Sequence, residues 1–149
     1  MTSAREVVRA FTRSSVQFPT PITASPLACA LNLVLVEARA QPARTVLHCD
    51  PMPLFVQGAG VLQRGALSAV VDFAMAFAAM SALADDESAT TTTLEVAFLR
   101  PAPAGRYEAI GEIMRRGKGI IFARAELRPQ GYPELVVTAA STLAIVRSR

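Results

Sequence analysis

The chain has 149 residues, of which 52% are hydrophobic and 18% charged. That is enough apolar material for the core of one ordinary domain, and it excludes wholesale disorder, collagen-like repeats and coiled coil. Fourteen Arg and one Lys against twelve acidic residues leave a net charge of +3, too mild and too scattered a balance for a nucleic-acid partner. Two cysteines, Cys29 and Cys49, and one histidine, His48, exclude any four-ligand Cys/His zinc arrangement, and neither a metal nor a cofactor is expected. The even thiol count reads as two reduced, buried cysteines. The first turns, from Thr2 to Phe11, carry charges and no continuous apolar run. They do not make a secretory leader, so a cytoplasmic protein without a membrane partner is expected.

Ser3 followed by Glu6 is a capping-box pattern. With Val7, Val8 and Phe11 on one face it predicts a short peripheral helix over about residues 4 to 13. Three prolines between Pro19 and Pro26 make a connector, so residues 1–26 are a helix and linker in front of the rest of a single domain over 1–149. Leu27 to Ala40 and Arg44 to Cys49, rich in Val and Leu, read as an antiparallel pair of strands. From Gly65 to Leu83 the sequence is apolar on nearly every side and dominated by alanine, the signature of a buried helix. At about 28 Å, with Ser68 and Asp72 inside it, this helix is a poor membrane span and is expected to be wrapped by protein. Thr90 to Leu99 alternates, Leu94, Val96 and Phe98 facing one way. Strands over Arg106–Arg116, Gly119–Arg128 and Leu135–Val146 complete the pattern, with a turn at Gly117-Lys118. The layout is α+β, one helix packed on an antiparallel sheet.

Asp72 is the most informative residue, because an isolated carboxylate in an apolar helix costs several kcal/mol unless it is paired, hydrogen-bonded or protonated. Either it meets a solvated edge or a neighbouring backbone group, or its desolvated carboxylate is a general base or nucleophile. Ser68, four residues earlier on the same face, is a candidate hydrogen-bond partner. A Ser-His-Asp triad would need His48, which reads instead as a satisfied core residue. Gln57-Gly58-Ala59-Gly60-Val61-Leu62-Gln63-Arg64-Gly65 is a glycine-rich approach to a helix N-terminus, whose free N–H groups can receive an anion or a polarised carbonyl. Arg115, Arg116 and Lys118 flank a tight turn; they are either a solvated cluster or a seat for phosphates, which Arg100 could join.

Taken together, Gly60-x-Leu62-Gln63-x-Gly65, the apolar helix with Asp72 nine residues after Gln63, and the strand Thr91-Thr92-Thr93-Leu94-Glu95-Val96-Ala97-Phe98-Leu99-Arg100-Pro101 resemble the hotdog-fold acyl-CoA thioesterases of the phenylacetate-degradation (PaaI) type. The resemblance runs from about Leu54 to Val146. It implies a sheet wrapped around the long helix, subunits paired to extend the sheet into a homodimer and a dimer of dimers (a homotetramer), and hydrolysis of an acyl-CoA substrate at the dimer interface. It places Asp72 at the acidic catalytic position, Arg64 where a backbone N–H polarises the thioester carbonyl, Gln57 at a polar position and Thr91 at a Ser/Thr position. Gln63, Gly65 and Ser68 then border the substrate.

Gln63-Arg64-Gly65 stands where that family usually has His-Gly-Gly. Arg64 retains an N–H, but its side chain either narrows the acyl pocket or binds a carboxylate or phosphate of the ligand. This departure also supports an alternative expectation, a non-catalytic hotdog protein that binds acyl-CoA or another acyl ligand.

Overall fold

Ser3 starts the first helix, α1 (Ala4–Arg13), by the reciprocal bonds expected from its sequence: Ser3 Oγ accepts from the Glu6 N–H, and Glu6 accepts from the Ser3 N–H. Val8 and Phe11 are buried beneath it. The computed structural model describes residues 1–148. In it the chain continues through β1 (Thr20–Pro21), α2 (Pro26–Ala30), β2 (Val34–Ala40), β3 (Ala43–Cys49), a 3-10 turn (Pro53–Phe55) and α3 (Arg64–Ala82). Then come β4 (Glu87–Phe98), β5 (Tyr107–Arg116), β6 (Ile120–Pro129) and β7 (Val137–Arg147).

The expected strand from Leu27 to Ala40 is only half a strand. Ser25 caps the Ala28 N–H and Pro26 occupies the first helical position, so a short helix forms first. The chain then turns at Asn32, with φ of 48°, before β2 begins. Cys29, on that helix, is exposed rather than buried; Cys49 is buried, and both thiols are free.

One seven-stranded antiparallel sheet runs in the order β1-β2-β3-β5-β6-β7-β4. It curls over α3, which packs against strands β2 to β7 and against α1. By length and composition α3 is apolar enough to cross a bilayer; here it forms the middle of the core, with Val70, Val71, Ala74, Met75 and Ala78 wholly inaccessible. Two features set how closely the sheet approaches it. Gly111 on β5 has no side chain where the Ala74 carbonyl passes, and the buried Thr45 Oγ1 on β3 donates to that same carbonyl at 2.8 Å. The helix thus rests on β3 and β5 at one defined point.

The C-terminal end of α3 is closed by cations, as its dipole favours. Arg5 and Arg9 donate to the Ala84 carbonyl at 2.8 and 3.1 Å, and Arg116 donates to that of Ala82. Beside them Glu87, only 4% exposed, accepts from the Ala84 N–H, Arg116 and Arg147. The Ala84 N–H above all, then the two guanidiniums, holds the Glu87 carboxyl below the usual carboxylate range despite its burial.

β4 lies at the edge of the sheet and pairs only with β7. Its expected alternation is therefore not closed by burial. Leu94 and Phe98 remain 38% and 37% exposed, and the register shifts between Thr91 and Thr93. A bulge of this kind re-aims the side chains beside it.

Candidate active site

Residues 55–63 fold into a tight approach to α3. The Gln57 N–H donates to the Val61 carbonyl at 2.8 Å, and Gly60, at φ of 76°, makes the turn that a side-chain-bearing residue would strain. The Leu62 N–H then donates to the Ala102 carbonyl at 2.7 Å and that of Gln63 to the Phe55 carbonyl at 2.8 Å, fixing the loop to the segment after β4 and closing it on its own start. Gln63 is the helix N-cap: its Oε1 accepts from the Ala66 N–H at 3.1 Å. Gln63 accordingly serves as the cap of α3. Arg64 and Gly65 follow as the first two helical residues, both exposed. Their N–H groups lie before the first intrahelical bonds and point out of the helix start.

The Arg64 side chain lies over the Phe98 ring, its guanidinium carbon 5.7 Å from the centroid. A cavity of about 210 Å³ opens there, lined among others by Gln57, Val61, Arg64, Leu67, Phe98 and Arg100. Gln57, Arg64 and Arg100 thus line one cavity.

Asp72 is half-buried, two turns further along α3. It accepts a hydrogen bond from Thr91 Oγ1 at 3.0 Å, so the structure joins these two predicted residues, and the β4 bulge lies immediately after Thr91. No cation pairs with Asp72 among the described residues. Its second oxygen is left for another donor. Ser68 is not its partner: the hydroxyl instead donates to the Arg64 carbonyl at 2.9 Å, the backbone acceptor one helical turn back. His48 is satisfied but not in the core. It lies on the outer face of the sheet, 3.0 Å from Glu108, away from Asp72. Burial works to raise the Glu108 pKa, but the hydrogen bonds of Arg128 and His48 outweigh it and hold the carboxyl low.

The basic turn does not form one cluster with Arg100. Arg116 is engaged with Glu87 and the carbonyl at the C-terminal end of α3, whereas Arg100 lines the cavity at its start, about 27 Å away along the axis within one chain. Arg116 is therefore a structural cation. Arg115 and Lys118 make no side-chain ion pair among the described residues, and Lys118 offers its carbonyl to Arg147 at 3.0 Å. Sequence reasoning missed the role of Phe98 as the face under Arg64. Nothing in the local pattern signals it, since strand and helix meet there only after folding.

A curled antiparallel sheet around one long helix, with an acidic residue on the helix and open N–H groups at its start, is the hotdog arrangement. The chain belongs to the thioesterase superfamily, whose family model matches residues 59–134, just over half of it. Within that family its likeness is to the PaaI type, as the sequence resemblance anticipated. A phenylacetic acid degradation-related protein from Ralstonia eutropha JMP134 is 28% identical, with 82% of this chain and 92% of that one covered at a TM-score of 0.76. The PaaI protein of the Escherichia coli phenylacetic acid degradation operon has the same fold at 20% identity, a TM-score of 0.74, and 83% and 86% coverage. A thioesterase family protein from Silicibacter pomeroyi, 23% identical, matches 98% of this chain and 100% of its own length at a TM-score of 0.78. No curated protein matches the sequence.

Proposed function

We propose that the protein is an acyl-CoA thioesterase in which Asp72 acts on a thioester whose carbonyl is held by the Arg64 N–H at the helix start. The observation that carries this reading is the state of Asp72: half-buried in an apolar helix, hydrogen-bonded by Thr91 at 3.0 Å, and in no ion pair among the described residues. As a base, its free oxygen takes a proton from water while the hydroxide adds to the carbonyl. The oxyanion is stabilised by the Arg64 N–H, and collapse releases the acid and the CoA thiol. As a nucleophile, Asp72 itself adds, the thiol leaves, and water hydrolyses the resulting anhydride. Thr91 orients the carboxylate and Gln57 the substrate side.

Helix geometry supports a site shared by two subunits. Residues 64 and 72 are separated by about 12 Å along one helix, whereas base and oxyanion donor must each come within about 3 Å of the same reacting group. Asp72 of one subunit facing the helix start of another resolves this in a two-fold homodimer with two equivalent sites. The open edge of β4, the strand that carries Thr91, is the surface through which such a pair would extend its sheet.

The test mixes two inactive proteins under subunit exchange. Asp72→Asn removes the base. Arg64→Pro removes the N–H while suiting the helix, because residue 64 is the first helical position and Gln63 before it is already extended, at φ −65° and ψ 136°. Each variant alone should lose about a hundredfold or more in turnover. Random pairing should then restore about a quarter of wild-type activity, because half the dimers are mixed and each has one intact site. Verified exchange with no recovery refutes the shared site, and a folded Asp72→Asn protein with full turnover refutes the role of Asp72. Label in the Asp72 carboxylate after a single turnover in ¹⁸O-water identifies it as the nucleophile, its anhydride having been opened by water at the Asp72 carboxyl carbon.

A further inference from the structure

Arg64 and Arg100 both line the 210 Å³ cavity beside the start of α3, and every other lining residue is neutral. Neither arginine is in an ion pair among the described residues. Arg9, Arg44, Arg116, Arg124, Arg128 and Arg147 do meet carboxylates, whereas Arg5, Arg13 and Arg115 share the unpaired state but line no cavity together with a second arginine beside the helix start. Arg64 is also held in place by the Phe98 ring. A guanidinium seated on an aromatic face, with a second one lining the same mostly apolar cavity, has the donors that a planar anion accepts from.

Size narrows the ligand. The cavity is smaller than the roughly 300–1,000 Å³ usual for small-molecule sites, so it takes a short group. Because the Arg64 side chain starts at the residue whose N–H faces the thioester carbonyl, an anion reaches the guanidinium only from the end of a short chain.

We infer that this cavity selects a short acyl group ending in a carboxylate, making the substrate the thioester of a dicarboxylic acid. The inference rests on the thioesterase reading for its chemistry, but the cavity can be tested without it. Hydrolysis of glutaryl-CoA is compared with that of valeryl-CoA, and each with its N-acetylcysteamine thioester, for wild type, Arg64→Gly, Arg64→Lys and Arg100→Gln.

The expected result is a kcat/KM ratio that favours the glutaryl ester and falls at least about tenfold in Arg64→Gly and Arg100→Gln, with partial recovery in Arg64→Lys. The fall should be the same with either thiol. An unchanged ratio overturns the inference. So does a loss that follows the nucleotide rather than the acyl carboxylate, which would make the arginines a seat for CoA phosphates. If no thioester is hydrolysed, the thioesterase reading fails, and calorimetric binding of the non-hydrolysable S-(4-carboxybutyl)-CoA against S-pentyl-CoA decides for the cavity alone. At least tenfold tighter binding of the carboxylate, lost in Arg64→Gly, upholds the inference, and equal binding refutes it.

Discussion

Replacing Gly111 by alanine should lift α3 from its seat. A Cβ at residue 111 would lie 2.2 Å from the Ala74 carbonyl oxygen, 2.4 Å from its carbon and 2.9 Å from the Met75 nitrogen. Carbon–oxygen contacts settle at about 3.3 Å or more, so helix and strand must separate by about 1 Å. These are backbone atoms, with no flexible side chain to yield. The same displacement stretches the 2.8 Å bond from Thr45 Oγ1 to the Ala74 oxygen, leaving a fully buried hydroxyl unsatisfied at a cost of about 1–3 kcal/mol. Overpacking adds about 1–3 kcal/mol, and the stiffer unfolded chain returns about 0.4–1 kcal/mol. The net expectation is a loss of about 3 kcal/mol within a range of about 1–5 kcal/mol, and the central figure lowers Tm by about 10 °C for a chain of this length. Urea unfolding followed by circular dichroism should show a lower midpoint at unchanged m. Asp72 precedes the seat by two residues, and a misplacement of about 1 Å can cost about a hundredfold in rate. The folded variant should therefore also be nearly inactive in the cold. A loss below about 0.5 kcal/mol, or full activity, would show that the contact does not set the helix height.

Two other expectations follow from groups away from the cavity. Glu87 has a folded pKa below its unfolded value of about 4.3, so its stabilisation is present above that pH and is lost as the pH falls through the folded value. Glu87→Gln should be less stable than wild type at pH 7, and the gap should narrow steadily below pH about 4 in parallel urea titrations. Burial, with the nearby Asp50 charge, pushes the Cys49 thiol up to about 12, while Cys29 is exposed. A disulfide-exchange reagent at neutral pH should count one thiol in the native protein and two after denaturation; two fast native thiols would contradict the packing around Cys49.

The features legible in the sequence are those that local chemistry decides. Ser3 and Glu6 sit in one turn, so the start of α1 could be read directly, and the alanine-rich run could only be a covered helix. Gly60, Gln63 and Arg64 mark a helix entry for the same reason. What escaped is of two kinds: a local alternative that competed with the expected one, and contacts between groups remote in sequence. Ser68 had a backbone acceptor one turn away that competed successfully with Asp72. Arg116 looked free because Glu87, its partner, is remote in sequence and reaches it only across the end of α3. The α2 turn escaped because Pro26 looked like part of a linker, while Ser25 before it was ready to cap a helix. Asp72 and Thr91 come together across the curl of the sheet, and only the family likeness linked them beforehand.

The twelve residues of β4 contain neither lysine nor proline, and their outward row of peptide groups has no partner within the chain. Strands at sheet edges are ordinarily guarded by such residues, which repel or obstruct a stray strand. Here the only such devices are Glu95 and the bulge after Thr91, and the run Thr90-Thr91-Thr92-Thr93 is β-branched throughout. In evolutionary terms the strand is caught between two demands. A guard residue would protect the newly made chain from aggregation, yet on the proposed two-fold arrangement it would also block the joint that brings Asp72 to its neighbour. The chain's safety then depends on how quickly a correct partner covers the edge after synthesis.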